Sequence, residues 1–173
     1  MMNLEDYWSR FLRIIESEGW AVQSVFGADD SLPFSYTVGL SAQGFPELIL
    51  VGIGAQTATH LLNTAAARLR DGSFSGRADE PLERVANATL IPKDVKDDPA
   101  WTARMATRYA AQLGHSVRLV QLVYPDRAGK FPWDEGCDPR MIANQDLDAI
   151  VARQQAMETA LANSPRNGQR PLH

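Results

Sequence analysis

One segment, Phe34–Ile53, limits more than any other what this chain can fold into, because two apolar runs there flank a short polar connection. Residues Phe34–Leu40 alternate between apolar and polar side chains, as in a strand with one face toward a core. Residues Ser41–Pro46 include Gly and Pro and predict a turn, and the apolar run Glu47–Ile53 predicts a central strand covered on both faces. Because so short a connection suits neighbouring antiparallel strands, the segment predicts the middle of an antiparallel sheet.

The whole sequence predicts an α+β fold in which a mainly antiparallel sheet of about five strands packs with helices. The strands are predicted at 20–26, 34–40, 47–53, 82–91 and 116–124. The helices are predicted at 4–18, 56–71, 99–113 and 146–163. Asn3 and Gly19 are suited to cap the first helix, and Asp98 with Pro99 marks the start of the third. Pro92 is expected to end the fourth strand.

Apolar residues at helical spacing indicate which face of each helix is buried. In the first two helices these residues are Leu4, Trp8, Phe11, Leu12 and Ile15, and then Ala58, Leu61, Leu62, Ala65, Ala66 and Leu69. In the last two they are Trp101, Met105, Tyr109 and Leu113, and then Leu147, Ile150, Val151, Met157 and Leu161.

The composition favours a single soluble domain over residues 1–163, followed by a flexible tail at 164–173. Hydrophobic residues make up 45% of the 173 residues and charged residues 22%, which is typical of globular proteins. A net charge of −4 argues against a nucleic-acid partner, which needs a concentrated basic surface. The N-terminus lacks the pattern of a signal peptide, and no apolar run approaches the about 20 residues of a membrane span. We therefore expect a cytoplasmic protein with no membrane partner.

Charge is unevenly divided along the chain. Up to His60 there are two basic residues against seven acidic ones, whereas fifteen basic and fourteen acidic residues follow. Any site for an anion is therefore expected in the second half.

A composite groove is the best candidate for a binding site. Tyr36 and Glu47 lie on adjacent predicted strands, and the loop 125–139 is long enough to fold across one end of the sheet. Phe131 and Trp133 would supply apolar walls to such a groove. The candidate polar groups are Tyr36, Gln121, Asp126, Arg127 and Lys130. The alternative is that the aromatic pair only fastens the loop to the core.

Other chemistry-bearing residues give weaker indications. His60 and Asn63 are one helical turn apart, so their side chains are candidates to meet at one edge of the second helix. Asp126 follows a proline at a strand end and also fits an Asx-turn. Asp126, Asp134, Glu135 and Asp138 are oxygen donors of the kind that Mg²⁺ and Ca²⁺ prefer, but their spacing fits no strong metal-binding template and favours a solvated acidic loop. Asp134, Glu135 and Asp138, which flank the one cysteine, Cys137, are expected to raise its pKa, and an ordinary loop thiol is the favoured interpretation.

Two segments, YTVGL (Tyr36–Leu40) followed by Pro46-Glu47-Leu48, and QLVYPDRAGKFPW (Gln121–Trp133), resemble a bacterial family of proteins, domain of unknown function 4262. The resemblance extends from about Gly19 to Trp133. It implies no activity, since the family has none assigned. In many members a histidine stands just before the Pro-Glu pair, and Phe45 replaces it here, so a role for that histidine does not carry over.

These observations leave three functions open. The first is the binding of a small molecule or protein partner in the groove, with enzymatic activity and any cofactor undetermined. The second is a non-catalytic interaction or self-associating regulatory module, including a homo-oligomer, which the aromatic first helix favours. The third is metal-assisted hydrolysis through the acidic loop 126–138.

Overall fold

The computed structural model describes residues 3–26 and 32–164, and it confirms the α+β class. The strands are β1 (Ala21–Val25), β2 (Phe34–Val38), β3 (Glu47–Val51), β4 (Leu82–Val85), β5 (Ala88–Asp94) and β6 (Leu119–Val123). The helices are α1 (Leu4–Glu18), α2 (Ala55–Asp71), α3 (Arg104–Gln112), α4 (Pro139–Asn144) and α5 (Leu147–Asn163). Of the predicted tail, 165–173 lie outside the described residues. Among those described, no helix has both the length and the apolar character needed to cross a membrane.

The six strands form one mixed sheet in the order β1-β2-β3-β6-β5-β4. The predicted antiparallel meander of β1, β2 and β3 is confirmed, and β6, β5 and β4 are also paired antiparallel. The central pair, β3 and β6, is instead parallel, with Glu47 opposite Leu119 and Ile49 opposite Gln121. The carboxyl ends of these two strands therefore lie side by side, where one leads toward α2 and the other into the loop that begins at Tyr124.

The fourth predicted strand is a hairpin of two strands, β4 and β5. Its turn residues, Ala86 and Asn87, have φ values of 48° and 65°, the left-handed backbone that two-residue hairpin turns require. Pro92 does not end β5, which corrects the prediction. It lies beyond the end of β4, where its carbonyl accepts a hydrogen bond from the Asp79 amide, so the missing N–H removes no bond from the sheet.

Separate apolar clusters cover the two faces of the sheet. On one face α2 packs over Leu48 and Leu50, and on the other α1, α3 and α5 pack over Tyr36 and Ile49. Every residue of β3 is buried, which confirms it as a central strand covered on both sides.

The predicted helix faces are only partly correct. All six predicted residues of α2 are buried, whereas Leu4 of α1 is exposed. In α3 the buried residues are Ala106 and Ala110 rather than Trp101 and Leu113. The reason is that Pro99–Trp101 form a separate 3-10 turn, and the α-helix begins only at Arg104 with a different face inward. The core includes only the first turns of α5, so the predicted positions Met157 and Leu161 are exposed.

Candidate functional site

A cleft of about 720 Å³ opens on the α2 side of the sheet, next to the carboxyl ends of β3 and β6. It is bounded by the start of α2, the β4–β5 hairpin and the loop that follows β6. Its apolar wall consists of Ile53, Leu61, Val85, Leu90, Tyr124 and Phe131. Its polar lining includes Thr57, Asn87, Thr89, Asp126 and Arg127.

The loop that borders the cleft is fixed at Tyr124. The tyrosine hydroxyl donates a hydrogen bond of 2.9 Å to the carbonyl of Val51, which ties the end of β6 to the end of β3. The side-chain amide of Gln145 accepts from the Tyr124 amide at 2.9 Å and donates to its carbonyl at 2.8 Å. Burial raises the pKa of Tyr124 to about 12, so the phenol stays protonated and keeps this bond at physiological pH.

Asp126 builds the turn of the same loop, as the predicted Asx-turn required. One carboxylate oxygen accepts from the amides of Ala128 and Lys130, and the other accepts from the amide of Asp138 at 3.0 Å. The hydrogen bonds from Asp138 and Lys130 lower the pKa of Asp126, so the group is ionised at neutral pH. Three backbone N–H groups of the loop therefore already stabilise its negative charge.

Unlike the neighbouring Asp126, whose carboxylate is engaged within the loop, Arg127 has a side chain that is unengaged in the part of the chain that the structure describes. It is exposed and lines the cleft, and within residues 3–26 and 32–164 no hydrogen bond or ion pair occupies its guanidinium. A guanidinium with five N–H donors and no acceptor is a ready partner for a carboxylate, sulfonate or phosphate group.

The hairpin on the opposite side of the cleft has a strained backbone. Arg84, Ala86 and Asn87 all have positive φ, and none is glycine. Holding a non-glycine L-residue in the left-handed region costs about 1–2 kcal/mol, less for asparagine. The guanidinium of Arg68 in α2 donates to the carbonyls of Glu83 and Arg84, which holds the hairpin against the helix that forms the cleft floor.

Tyr36 and Glu47, which the sequence suggested as one wall of the groove, do not line this cleft. Tyr36 faces the α1, α3 and α5 side, where its hydroxyl accepts a 3.2 Å hydrogen bond from the Met105 amide. Burial raises the pKa of Tyr36 to about 12. Of the segment Phe34–Ile53, only Ile53 reaches the cleft.

Glu47 is a fully buried carboxylate whose oxygens are all engaged. One oxygen accepts from the amides of Gly39 and Ser41 and from the Ser41 hydroxyl at 2.9–3.0 Å, and the other accepts from Thr37 at 2.6 Å. Burial raises the pKa of Glu47, and these hydrogen bonds, Ser41 and Thr37 foremost, act against that rise. The group holds the turn after β2 onto β3, which is a structural use of its charge.

The remaining candidates are dispersed. His60 is exposed on α2, and Asn63 does not meet it but accepts a 3.0 Å hydrogen bond from the indole of Trp20. The side chain of Gln121 lies on the other face of the sheet and donates to the Gln145 carbonyl at 2.8 Å.

Phe131 and Trp133 stack on each other, with ring centroids 5.2 Å apart and planes 4° from parallel. Only Phe131 lines the cleft, and the Lys93 ammonium lies 4.3 Å from the Trp133 ring centre on its other side. The Lys130 ammonium donates to the Glu135 carbonyl within the loop. The pair therefore both braces the loop and gives the cleft one of its walls.

Residues 14–138 match the model of a family described as Domain of unknown function (DUF4262). The chain belongs to this family. The cleft and both segments that suggested the resemblance lie inside the matched region. Phe45, which directly precedes the Pro46-Glu47 pair, packs against the apolar cluster under α2. Neither the curated proteins nor the solved structures gave a match to the chain.

The acidic loop of this DUF4262 chain does not gather into a metal centre. In the part of the chain that the structure describes, no group of three or more His, Cys, Asp or Glu is arranged to hold an ion. Asp134 and Asp138 instead accept from the nearby amides of Phe131 and Arg140. Burial, with the charge of Asp126 adding to it, raises the pKa of the Cys137 thiol, which is the opposite of what a nucleophilic cysteine needs.

Sequence reasoning missed the hairpin and the start of α2 as parts of the site. Thr57, Val85 and Leu90 carry no motif. Val85 and Leu90 line the cleft because β4 and β5 add to the sheet beside β6, and Thr57 lines it because α2 begins just after β3. Tyr124 carried a usable signal, since it is followed by proline at a strand end and begins the loop that borders the cleft.

Proposed function

We propose that this chain binds a small molecule in the cleft, one that joins an apolar, preferably aromatic, body to an anionic group. The observation that carries the proposal is a cleft with apolar walls that also offers Arg127, a cation without a partner among the described residues. Small-molecule pockets have this makeup, with volumes of about 300–1,000 Å³. The volume of about 720 Å³ falls in that range.

The position of the cleft supports the same conclusion. Ligands of open α/β sheets bind outside the carboxyl ends of parallel strands, because the loops that leave those ends are free to vary. Here the parallel pair is β3 and β6, and the cleft lies where both end.

The titratable groups of the cleft favour binding over acid–base catalysis. Asp126 is ionised but its oxygens accept three backbone hydrogen bonds, and the Tyr124 hydroxyl is held by the Val51 carbonyl. The hydrogen bonds that lower the pKa of Asp126 also make it a weak general base, since a base works best with a pKa near the operating pH. The exposed guanidinium of Arg127 is suited to attract and orient an anion.

The test uses 1-anilinonaphthalene-8-sulfonate, a fluorescent aromatic anion, and N-phenyl-1-naphthylamine, which has the same rings without the charge. We expect saturable binding of the anion at one site and weaker binding of the neutral dye. Arg127→Gln should lower the affinity for the anionic dye about tenfold, or about 1.4 kcal/mol, since a single charge-assisted pairing is lost. The affinity for the neutral dye should stay unchanged. The matched control is Arg153→Gln, an exposed arginine of α5.

A second variant tests the cavity itself. Thr57 is exposed at the start of α2, so Thr57→Trp is expected to fill the cleft and exclude both dyes without unfolding the protein. Near-ultraviolet circular dichroism checks the fold, because the anionic dye also binds loosened states. Absence of saturable binding, or equal affinities in the native chain and both cleft variants, would overturn the proposal.

A further inference from the structure

The two edges of the sheet differ in what they offer to another strand. At β4, Arg68 occupies the carbonyls of Glu83 and Arg84, and Arg84 itself has a left-handed backbone. Charges and irregular backbone are the features by which proteins block an edge. At β1, Ala21–Val25 contains no charged residue, and within the described residues no strand pairs with its outer side.

The register shows which groups of β1 face outward. Along β2, the backbone N–H and C=O groups of successive residues point alternately toward β1 and toward β3. The Pro33 carbonyl accepts from the Gly52 amide, so the odd-numbered residues are the ones that bond toward β3. The pairing of β1 with β2 then directs the N–H and C=O groups of Val22 and Ser24 away from the sheet. The Ser24 carbonyl agrees with this, since it accepts a 2.9 Å hydrogen bond from the side chain of Gln23.

We propose that β1 pairs antiparallel with β1 of a second copy of this chain, about a two-fold axis at Gln23. In that arrangement Val22 and Ser24 of one copy exchange backbone hydrogen bonds with Ser24 and Val22 of the other, four bonds in all. The Gln23 side chain releases the Ser24 carbonyl to the incoming strand. A two-fold interface must complement itself, and an uncharged strand brings no like charges together.

In the same register, Phe26 of one copy would contact the second copy. Phe26 follows β1 and is 75% exposed. Pairing about Gln23 sets it opposite Trp20 of the other copy, on the α2 face that both residues share with Val22. Trp20 lines a second cleft, of about 530 Å³, together with Ile14 and Val22.

In this register the Phe26 ring enters the second cleft, which the charged side chains of Glu18 and Arg70 also line, and the two-fold axis repeats the contact. One register thus satisfies both the backbone edge and the exposed ring. For this reason we assign the edge to a second copy rather than to an unrelated peptide. This surface is separate from the cleft of the proposed function and does not depend on it.

The first experiment measures oligomeric state by sedimentation velocity across a concentration series. The native chain is expected to dimerise reversibly, and Phe26→Asp to weaken the dimer at least tenfold, since it removes the ring and brings a charge to the interface. Leu161→Asp is the control, because Leu161 is 73% exposed on α5, away from β1. A native chain that stays monomeric at all concentrations, or a dimer that both variants leave intact, would overturn the proposal.

The second experiment tests the register with single cysteines. About the proposed axis the two Gln23 positions form a non-hydrogen-bonded pair with Cα atoms about 4.5 Å apart, within disulfide range. The two Ser24 positions are diagonal, about 7–8 Å apart, and too distant. With diamide as oxidant, Gln23→Cys should form a covalent dimer and Ser24→Cys should not, while native Cys137 is buried. Equal cross-linking of the two variants, or none in either, would contradict the register.

Discussion

The parallel strands β3 and β6 have a polar amino end that is fully occupied and a carboxyl end that is open. At the amino end, Glu47 accepts four hydrogen bonds, and the Arg118 guanidinium donates to Asp94 and to the Gly76 carbonyl. At the carboxyl end the same strands lead to the cleft, where Arg127 has no partner among the described residues. Polar groups at the first end are engaged within the fold, whereas the Arg127 guanidinium at the second is not engaged within the described part of the chain.

The largest expected effect is a loss of stability when the Glu47 carboxylate is removed from the amino end of β3. Glu47→Ala leaves the Gly39 and Ser41 donors buried without an acceptor, which should lower the free energy of unfolding by about 3–5 kcal/mol. Urea denaturation followed by circular dichroism measures the loss.

The matched control is Glu47→Gln. Its amide oxygen still accepts from Gly39 and Ser41, and its nitrogen donates to the Thr37 hydroxyl, so the expected loss is below about 2 kcal/mol. Equal losses for the two substitutions would mean that the hydrogen bonds at Glu47 are not what stabilises this end.

A smaller effect is expected at the carboxyl end, where Tyr124 ties β6 to β3. Tyr124→Phe removes the hydrogen bond to the Val51 carbonyl and should cost about 1–1.5 kcal/mol of stability. Because this bond fixes the loop beside the cleft, dye affinity should fall as well. A loss of stability with unchanged affinity would show that the cleft does not depend on this anchor.

The smallest effect, a gain, is expected at the hairpin. Ala86→Gly relieves the left-handed φ of 48° and should stabilise the fold by about 0.5–1 kcal/mol, net of the greater freedom of glycine in the unfolded chain. Gly44→Ala is the reverse control, because Gly44 has φ 82° and no atom within 4 Å of an added Cβ. Calorimetry should show opposite shifts in Tm for the two substitutions, and shifts of the same sign would contradict the assignment of strain.

Local patterns predicted most of the fold because they record which face of each element is buried. The alanine-rich stripe of α2 proved correct. The alternation in β2 placed Tyr36 and Val38 on one face correctly, but Ser35 and Thr37 on the other face are buried as well. The parallel pairing of β3 with β6 could not be found this way, since it joins residues about seventy positions apart and leaves no periodic signal. The β4–β5 turn was missed because Ala86-Asn87 lacks the glycine that usually marks a hairpin.

The site was less predictable than the fold. Arg127 and Phe131 do line the cleft, and the sequence had singled them out because they stand in a long loop of mixed chemistry at a strand end. Tyr36 and Glu47 were assigned to the groove from adjacency along the sheet. Adjacency does not say which helix covers which face, and tertiary packing directed both side chains into the interior.

Gln145 has a consequence for where this domain ends. Its side-chain amide pairs with both backbone groups of Tyr124, as a neighbouring strand would, and its carbonyl accepts from Gln121. The family match stops at residue 138, seven positions earlier. A chain truncated at that boundary would keep every matched residue and still expose the end of β6 to water. The unit recognised by sequence similarity is therefore shorter than the unit that holds the cleft in shape.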